Sequence, residues 1–291
     1  MRKVKDYIQL ARPKHWIKNI LIFVPCLFGG EIFQANKLTA LFIGFISFSL
    51  VASSIYYIND IKDVDKDRHH EIKKNRPIAS GRVSVRSAWT IAMILAILSY
   101  IIVFLFFKGK VCIKAAAVLA IYFLVNLLYS SGLKNRPILD VMILASGFVL
   151  RVIYGSAIGN VEISQWLLLT ILMFSLYMGL GKRRNELRKA ADASTRNVLT
   201  YYTVEYLSRI MLLTMTLGLV FYSLWAAVVV AQGDILVWTV PLVIAILMKY
   251  ELDVDKYNFG DPVEILTNDS TIVIMLTVYA MIVIFVLYIL R

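Results

Sequence analysis

Nine apolar runs of about 16–22 residues follow one another along this 291-residue chain, near 17–34, 38–58, 88–107, 111–130, 138–158, 165–181, 210–231, 235–250 and 271–290. Coiled as α-helix at about 1.5 Å per residue, each run is long enough to cross a hydrocarbon core of roughly 30 Å. Lipid offers the backbone no hydrogen bonds, so only helices and closed barrels span it. The runs are continuous rather than alternating, which argues against a barrel. The expected fold is an all-α polytopic membrane protein with about nine transmembrane helices. An apolar content of 59% and a mean hydropathy of +0.73 agree with that class.

The basic residues orient the chain. With the N-terminus in the cytoplasm, the segments 1–19, 59–87, 131–137, 182–209 and 249–270 lie inside and carry 6, 8, 2, 7 and 2 Lys and Arg, 25 of the 31. The opposite side holds Lys37, Lys108, Lys110, Lys114 and Arg291. The net charge of +12 is thus chiefly topology and attraction to anionic groups, and it does not point to nucleic acid. The N-terminal MRKVKDYIQLARPKHW lacks a short apolar region with a small-residue cleavage site, so the first helix is expected to be retained. Cys26 and Cys112 sit in apolar segments without C-x-x-C spacing and are expected to be packing residues.

No low-complexity linker divides the chain, which is read as one domain over 1–291. Its long cytoplasmic loops, 59–87 and 182–209, are expected to form the active-site face. Each begins at a helix end with a charged cluster, NDIKDVDKD and GKRRNEL.

If the second helix continues past Asn59, then Asn59, Asp60, Asp63 and Asp67 fall within an arc of about 100°. Asp65 points away, toward Lys62 and Lys66. Like charges three or four apart repel, so this stripe packs poorly by itself. A divalent cation among the carboxylates would account for it, and hard oxygen ligands suit Mg²⁺. The plainer alternative is a solvated helix extension with its lysines compensating its aspartates.

The spacing N-D-x-x-D-x-x-x-D at 59–67, followed by Arg76-Pro77-Ile78-Ala79-Ser80-Gly81, resembles the first signature of the UbiA superfamily of intramembrane prenyltransferases. That resemblance implies a UbiA-like helical bundle with an internal N-terminus. It also implies that Asp60, Asp63 and Asp67 bind a donor diphosphate through Mg²⁺. Ordinary members carry a second aspartate-rich motif after the sixth helix, whereas this chain reads Gly181-Lys182-Arg183-Arg184-Asn185-Glu186-Leu187. The family's Tyr-x-x-x-Lys motif is altered too, with Tyr129 and Lys134 five apart in YSSGLKNRPILD.

These departures, with ARPKHWIKN (11–19), ASGFVLR (145–151) and DPVEILTND (261–269), resemble the decaprenyl-phosphate phosphoribosyltransferases. Those enzymes make the lipid-linked ribose precursor of cell-wall arabinan in mycobacteria and their relatives. The resemblance implies transfer of a 5-phosphoribosyl group from phosphoribosyl pyrophosphate (PRPP) to a polyprenyl phosphate, with release of pyrophosphate, at the cytoplasmic face of a bacterial-type inner membrane. A phosphate nucleophile is already ionised near neutrality, so leaving-group stabilisation and positioning matter more than a general base. Asn59 would orient a metal-bound water or a ribose hydroxyl.

Further anionic groups call for Lys and Arg. The candidates are Lys14, Lys18, Arg76, Lys134, Arg136, Lys182 and Arg183, each weighed against ordinary positive-inside charge; Tyr129 stands beside them. Glu186 is either a ligand or an ion-pair partner one turn beyond Lys182. Arg151 lies within the fifth helix, where insertion scales put the cost of a charge at about 2.5–3.5 kcal/mol. It is expected to pair with a carboxylate, Asp140 being the candidate, or to reach the substrate. His69 and His70 lack matching ligands elsewhere and are expected to face solvent. The competing readings are a UbiA-type prenyltransferase using an allylic diphosphate and an aromatic acceptor, and, more remotely, a transporter. A homo-oligomer stays open.

Overall fold

The computed structural model describes residues 2–189, 197–229, 233–257 and 262–290. Part of the expected 182–209 loop and Asp261 of DPVEILTND lie outside the described residues. The helices run in order α1 (Arg2–Ala11), α2 (Val24–Phe28), α3 (Ala35–Lys62), α4 (Val64–Arg68), α5 (Val85–Phe106), α6 (Gly109–Ser130) and α7 (Leu139–Gly159). They continue as α8 (Gln165–Lys189), α9 (Val204–Leu224), α10 (Gly233–Leu236), α11 (Val240–Tyr257), α12 (Pro262–Asn268) and α13 (Ser270–Tyr288). Among the described residues, eight helical stretches are long and apolar enough to cross a membrane. They are α3, α5, α6, α7, α8, α9 with its π-helical extension to Val229, the stretch from Gly233 to Lys256, and α13.

The first expected span, 17–34, is not one α-helix. Pro13–Phe23 forms a 3-10 helix that runs into the five-residue α2. Such runs seldom exceed four residues, yet at about 2.0 Å per residue these eleven cover roughly 22 Å. Pro13 stands at the start of the 3-10 segment, where its missing N–H costs nothing. Hydropathy reports the apolar character of the stretch but not its winding.

The chain divides into two compact units. The first contains residues up to Cys26, Ile32–Arg136 and Leu150–Val161, and the second Leu27–Glu31, Pro137–Val149 and Glu162–Arg291. In the first, α3 packs against α5, α6 and the 3-10 segment. Small residues allow close contact: Ser47 Oγ donates to Ser99 O (3.0 Å) and Ser99 Oγ to Ser47 O (2.8 Å), a reciprocal clasp between α3 and α5. Along the 3-10 segment, Trp16 donates to Ser53 Oγ (3.0 Å) and Asn19 Nδ2 to Ser49 Oγ (2.8 Å). Gly155 and Gly159 of α7 form a small-xxx-small pair against the 3-10 segment and α2. A side-chain carbon at Gly155 would overlap the Ile22 carbonyl, and one at Gly159 would overlap Cys26 Sγ. Cys26 is fully buried in this core, as its apolar setting predicts.

In the second unit, α8 packs along α9, and α11 meets α9 and α13. Tyr177, Leu180, Leu207, Met211, Tyr250 and Val254 lie in its core. Thr203 caps α9 by accepting from Tyr206 N (3.1 Å), and Asp269 caps α13 by accepting from Thr271 N (2.7 Å) and Ile272 N (3.1 Å).

Candidate functional site

The aspartate motif sits where α3 ends. The helix stops at Lys62, Asp63 takes φ −94° and ψ 2°, and α4 resumes at Val64. Helical hydrogen bonds still run from Asp63 N to Asn59 O (3.0 Å) and from Asp67 N to Asp63 O (2.8 Å), so the helical bonding continues across the break. Asp60 and Asp67 turn inward and are buried, while Asp65 is exposed, as its position on the helical wheel predicts.

Arg76 joins the two buried carboxylates. Its Nη1 lies 3.1 Å from Asp60 Oδ1 and 2.7 Å from Asp67 Oδ2. The Arg76-Pro77-Ile78 turn is held by Ser80 N to Arg76 O (2.9 Å) and Val83 N to Pro77 O (2.9 Å), with Ile78 and Val83 buried beneath it. Asp63 pairs with Lys134. The expected trio of carboxylates is therefore a converging pair, with a third engaged by Lys134. Among the described residues no group of three His, Cys, Asp or Glu stands ready to hold a metal. Mg²⁺ commonly takes only one or two carboxylates and fills its shell with water and phosphate oxygens. Asp60 and Asp67, converging on a single nitrogen of a cation, fit that requirement.

The YSSGLK turn fastens the motif. Ser130 Oγ donates to Asn59 Oδ1, Lys62 Nζ to Ser131 Oγ (2.6 Å), and Lys134 Nζ to Asp63. Gly132, at φ 143°, makes the turn that brings Lys134 back. Asn59 is thus oriented by α6, and Tyr129 is buried next to Ser130. Lys14 and Arg136 are exposed, and Lys18 is half-buried.

Arg12, which the reading of ARPKHWIKN passes over in favour of Lys14 and Lys18, reaches Asp60 Oδ1 at 2.5 Å. Its guanidinium also lies 5.0 Å from the Tyr56 ring centroid. Arg12 is left-handed (φ 51°, ψ 56°), a conformation costing a non-glycine residue of order 1–3 kcal/mol. Ser53 Oγ to Ala11 O (2.9 Å) and Tyr57 Oη to Tyr7 O (2.7 Å) hold the chain there. The sequence signal was Pro13, since the residue before a proline avoids the α region and breaks the helix.

Arg151 is buried in the first unit. Its Nε donates to Asn19 Oδ1 (2.7 Å) and its Nη2 to Tyr122 Oη (3.2 Å), and its charge lies 5.0 Å and 5.2 Å from the Phe48 and Tyr122 ring centroids. Hydrogen bonds from a charged group contribute about 1.5–3 kcal/mol each and a desolvated cation–π contact about 2 kcal/mol. Together these offset an insertion cost of about 2.5–3.5 kcal/mol. The expected pairing with Asp140 does not form. Eleven residues of α7 separate the two by roughly 16 Å, and Asp140 is engaged elsewhere.

In the second unit GKRRNEL is helical, because α8 continues to Lys189 instead of ending near 181. Arg183 is fully buried: its Nε donates to Asp140 Oδ2 (2.6 Å) and its Nη1 to Glu186 Oε2 (2.6 Å). Tyr202 donates to Asp140 Oδ1 (2.8 Å) and accepts from Ile138 N (2.6 Å), and burial pushes its pKa up to about 12. Arg184 binds Glu251 Oε1 (2.6 Å) and Asp255 Oδ1 (2.8 Å). Glu186 is thus an ion-pair partner of Arg183, and Lys182 is half-buried. His69 is exposed and His70 half-buried; their ring nitrogens meet Asp65 O (2.7 Å) and Ile72 N (3.3 Å).

A buried carboxylate pair at the end of a membrane helix, ringed by Arg and Lys, is suited to a phosphorylated substrate. The model of the UbiA prenyltransferase family matches residues 22–264, and the chain belongs to that family. It is an integral membrane protein. It is 36% identical to the decaprenyl-phosphate phosphoribosyltransferase of Mycolicibacterium smegmatis, over 94% of this chain and 89% of the relative. It is 34% identical to the protein of that name from Corynebacterium glutamicum, over 97% and 86%. A UbiA homolog from Archaeoglobus fulgidus, solved with GPP and Mg²⁺, superposes with a TM-score of 0.75 at 20% identity, over 97% of this chain and 99% of that one.

Proposed function

We propose that the protein transfers a 5-phosphoribosyl group from PRPP to a decaprenyl-type polyprenyl phosphate, supplying lipid-linked pentose for the cell envelope from the cytoplasmic face of the inner membrane. The observation that carries this reading is the convergence of buried Asp60 and Asp67 on one cationic nitrogen, in a chain 33–36% identical over most of its length to enzymes of that name.

In the reaction the bond from ribose C1 to the pyrophosphate oxygen breaks, and one from C1 to an oxygen of the lipid phosphate forms. The acceptor is already ionised, so no proton has to be removed. Mg²⁺ bound by Asp60 and Asp67 would neutralise the leaving pyrophosphate. Asp63 completes the motif through Lys134, and Asn59, fixed by Ser130, presents its amide to a water or a hydroxyl. Arg12, Arg76 and Lys134 compensate the carboxylates and have phosphate oxygens as their natural alternative partners. Lys14, Lys18 and Arg136 are assigned to the donor 5-phosphate and the lipid phosphate, with Tyr129 lining the substrate. Arg183 and Glu186 take a positioning role, since their groups hold Asp140 and each other. Arg151 holds the 3-10 segment through Asn19.

Purified protein with Mg²⁺, labelled PRPP and decaprenyl phosphate is expected to yield a labelled product that extracts into organic solvent. If none forms, and an allylic diphosphate is instead consumed with an aromatic acceptor, the proposal fails and the chain is a prenyltransferase of the ordinary type.

A further inference from the structure

The helix α1 spans ten residues, about 15 Å, too short to cross a bilayer. Its side chains fall into three sectors. Tyr7 and Leu10 face inward, Leu10 buried in a cluster with Tyr57, Ile58, Ile78 and Ala88. Val4 and Ile8, one turn apart on a second sector, are 61% and 53% exposed. Lys5 and Gln9, on a third, are exposed as well. A helix needing only to cover the protein would carry one apolar stripe, and here a second one points outward.

The surroundings give the level of this helix. Ala88 and Ala92 of α5 share the buried cluster with Leu10, and Trp89 beside them is 38% exposed, in the first turns of a spanning helix where interfacial tryptophans gather. Arg82 fixes α1 to the loop before α5, donating from Nε to Asp6 Oδ1 (2.9 Å) and from Nη2 to Asn75 O (2.9 Å). The helix is therefore docked on three elements of its unit, with its second apolar stripe turned away from all of them.

We propose that α1 is an interfacial membrane helix: Val4 and Ile8 enter the boundary between headgroups and acyl chains, while Lys5 and Gln9 stay among the headgroups, Lys5 against anionic ones. The occupant of this face is lipid. The stripe is apolar, a cation flanks it, and the neighbouring Trp89 stands in the first turns of a helix of spanning length. Such helices settle with the apolar face about 5–10 Å into the boundary. This inference does not depend on the reaction catalysed.

The test is site-directed spin labelling of the full chain in vesicles of phosphatidylethanolamine and phosphatidylglycerol, with Val4→Cys, Ile8→Cys, Lys5→Cys and Gln9→Cys labelled one at a time. All four replace exposed side chains, and the parent, labelled in parallel, supplies the background from Cys26 and Cys112. Labels at 4 and 8 are expected to be relaxed by oxygen and shielded from a water-soluble nickel chelate, and labels at 5 and 9 to show the reverse. Equal access of the chelate to all four positions overturns the proposal. So does spin–spin broadening at 4 and 8, which would put a second copy of the chain on this face.

Discussion

Replacing Arg183 by Met would remove the charge from the most enclosed ion pair of the second unit. Arg183 and Asp140 are both fully buried, and Asp140 would keep only the hydrogen bond from Tyr202. Stripping one partner from a buried pair costs about 3–5 kcal/mol, because the other charge is left uncompensated. For a chain this long, at about 2 °C per kcal/mol, the apparent unfolding midpoint should fall by about 6–10 °C. It is read as the fraction still monodisperse by size exclusion after heating in detergent. Arg183→Met combined with Asp140→Leu should recover most of that loss, since an apolar pair of similar volume often replaces a buried ion pair without penalty. An Arg183→Met midpoint within about 1 °C of the parent would refute the reasoning. So would a double variant less stable than either single one. Arg183 would then return to the group of residues available to substrate.

Three further outcomes are expected. Arg76→Ala removes the cation that joins Asp60 to Asp67 and leaves Asp60 paired with Arg12, so Mg²⁺ should raise the midpoint of the variant more than that of the parent, measured by the same heating assay with and without chelator. Gly155→Leu should lower the midpoint through overpacking of about 1–3 kcal/mol or more, because the added carbon meets the Ile22 backbone instead of a movable side chain. Asp269 has its pKa lowered from 3.8 to about 2, first by the hydrogen bond from Lys249 and then by the α13 backbone amides. Its stabilising contribution is therefore complete above about pH 4 and lost as the pH falls toward 2. Asp269→Asn should flatten that part of the acid-denaturation curve, followed by circular dichroism.

Much of the architecture was legible because lipid imposes a length on apolar runs, and α3, α5, α6, α7 and α13 begin and end within a few residues of the expected limits. Hydropathy could not report the winding of 13–23, since 3-10 and α segments of the same composition look alike to it. The aspartate motif was legible through its spacing, although the pairing of Asp63 with Lys134, seventy-one positions on, was not. The basic segment was legible as a departure from the family's second motif, but the burial of its side chains was not. Arg183 and Arg184 look like surface charge until their partners Asp140, Glu251 and Asp255 arrive, each more than forty positions away. Pairing over that separation leaves no periodic trace. Arg12 had a local trace in Pro13, but its target, Asp60, could be known only from the fold.

The tight winding of Pro13–Phe23 also sets a mechanical condition on the first unit. Three residues of 3-10 helix advance about 6 Å, and four residues of α-helix advance the same distance. Trp16 and Asn19 therefore meet Ser53 and Ser49 in step, like two racks cut to a common tooth spacing. One residue inserted between Asn19 and Ile22 would put the Ser49 and Gly155 contacts out of step with each other. Asn19 carries that registration on to Arg151, so α7 is tied to α3 through this amide as well as through the hydrogen bond from Tyr154 Oη to Ser47 Oγ (3.4 Å).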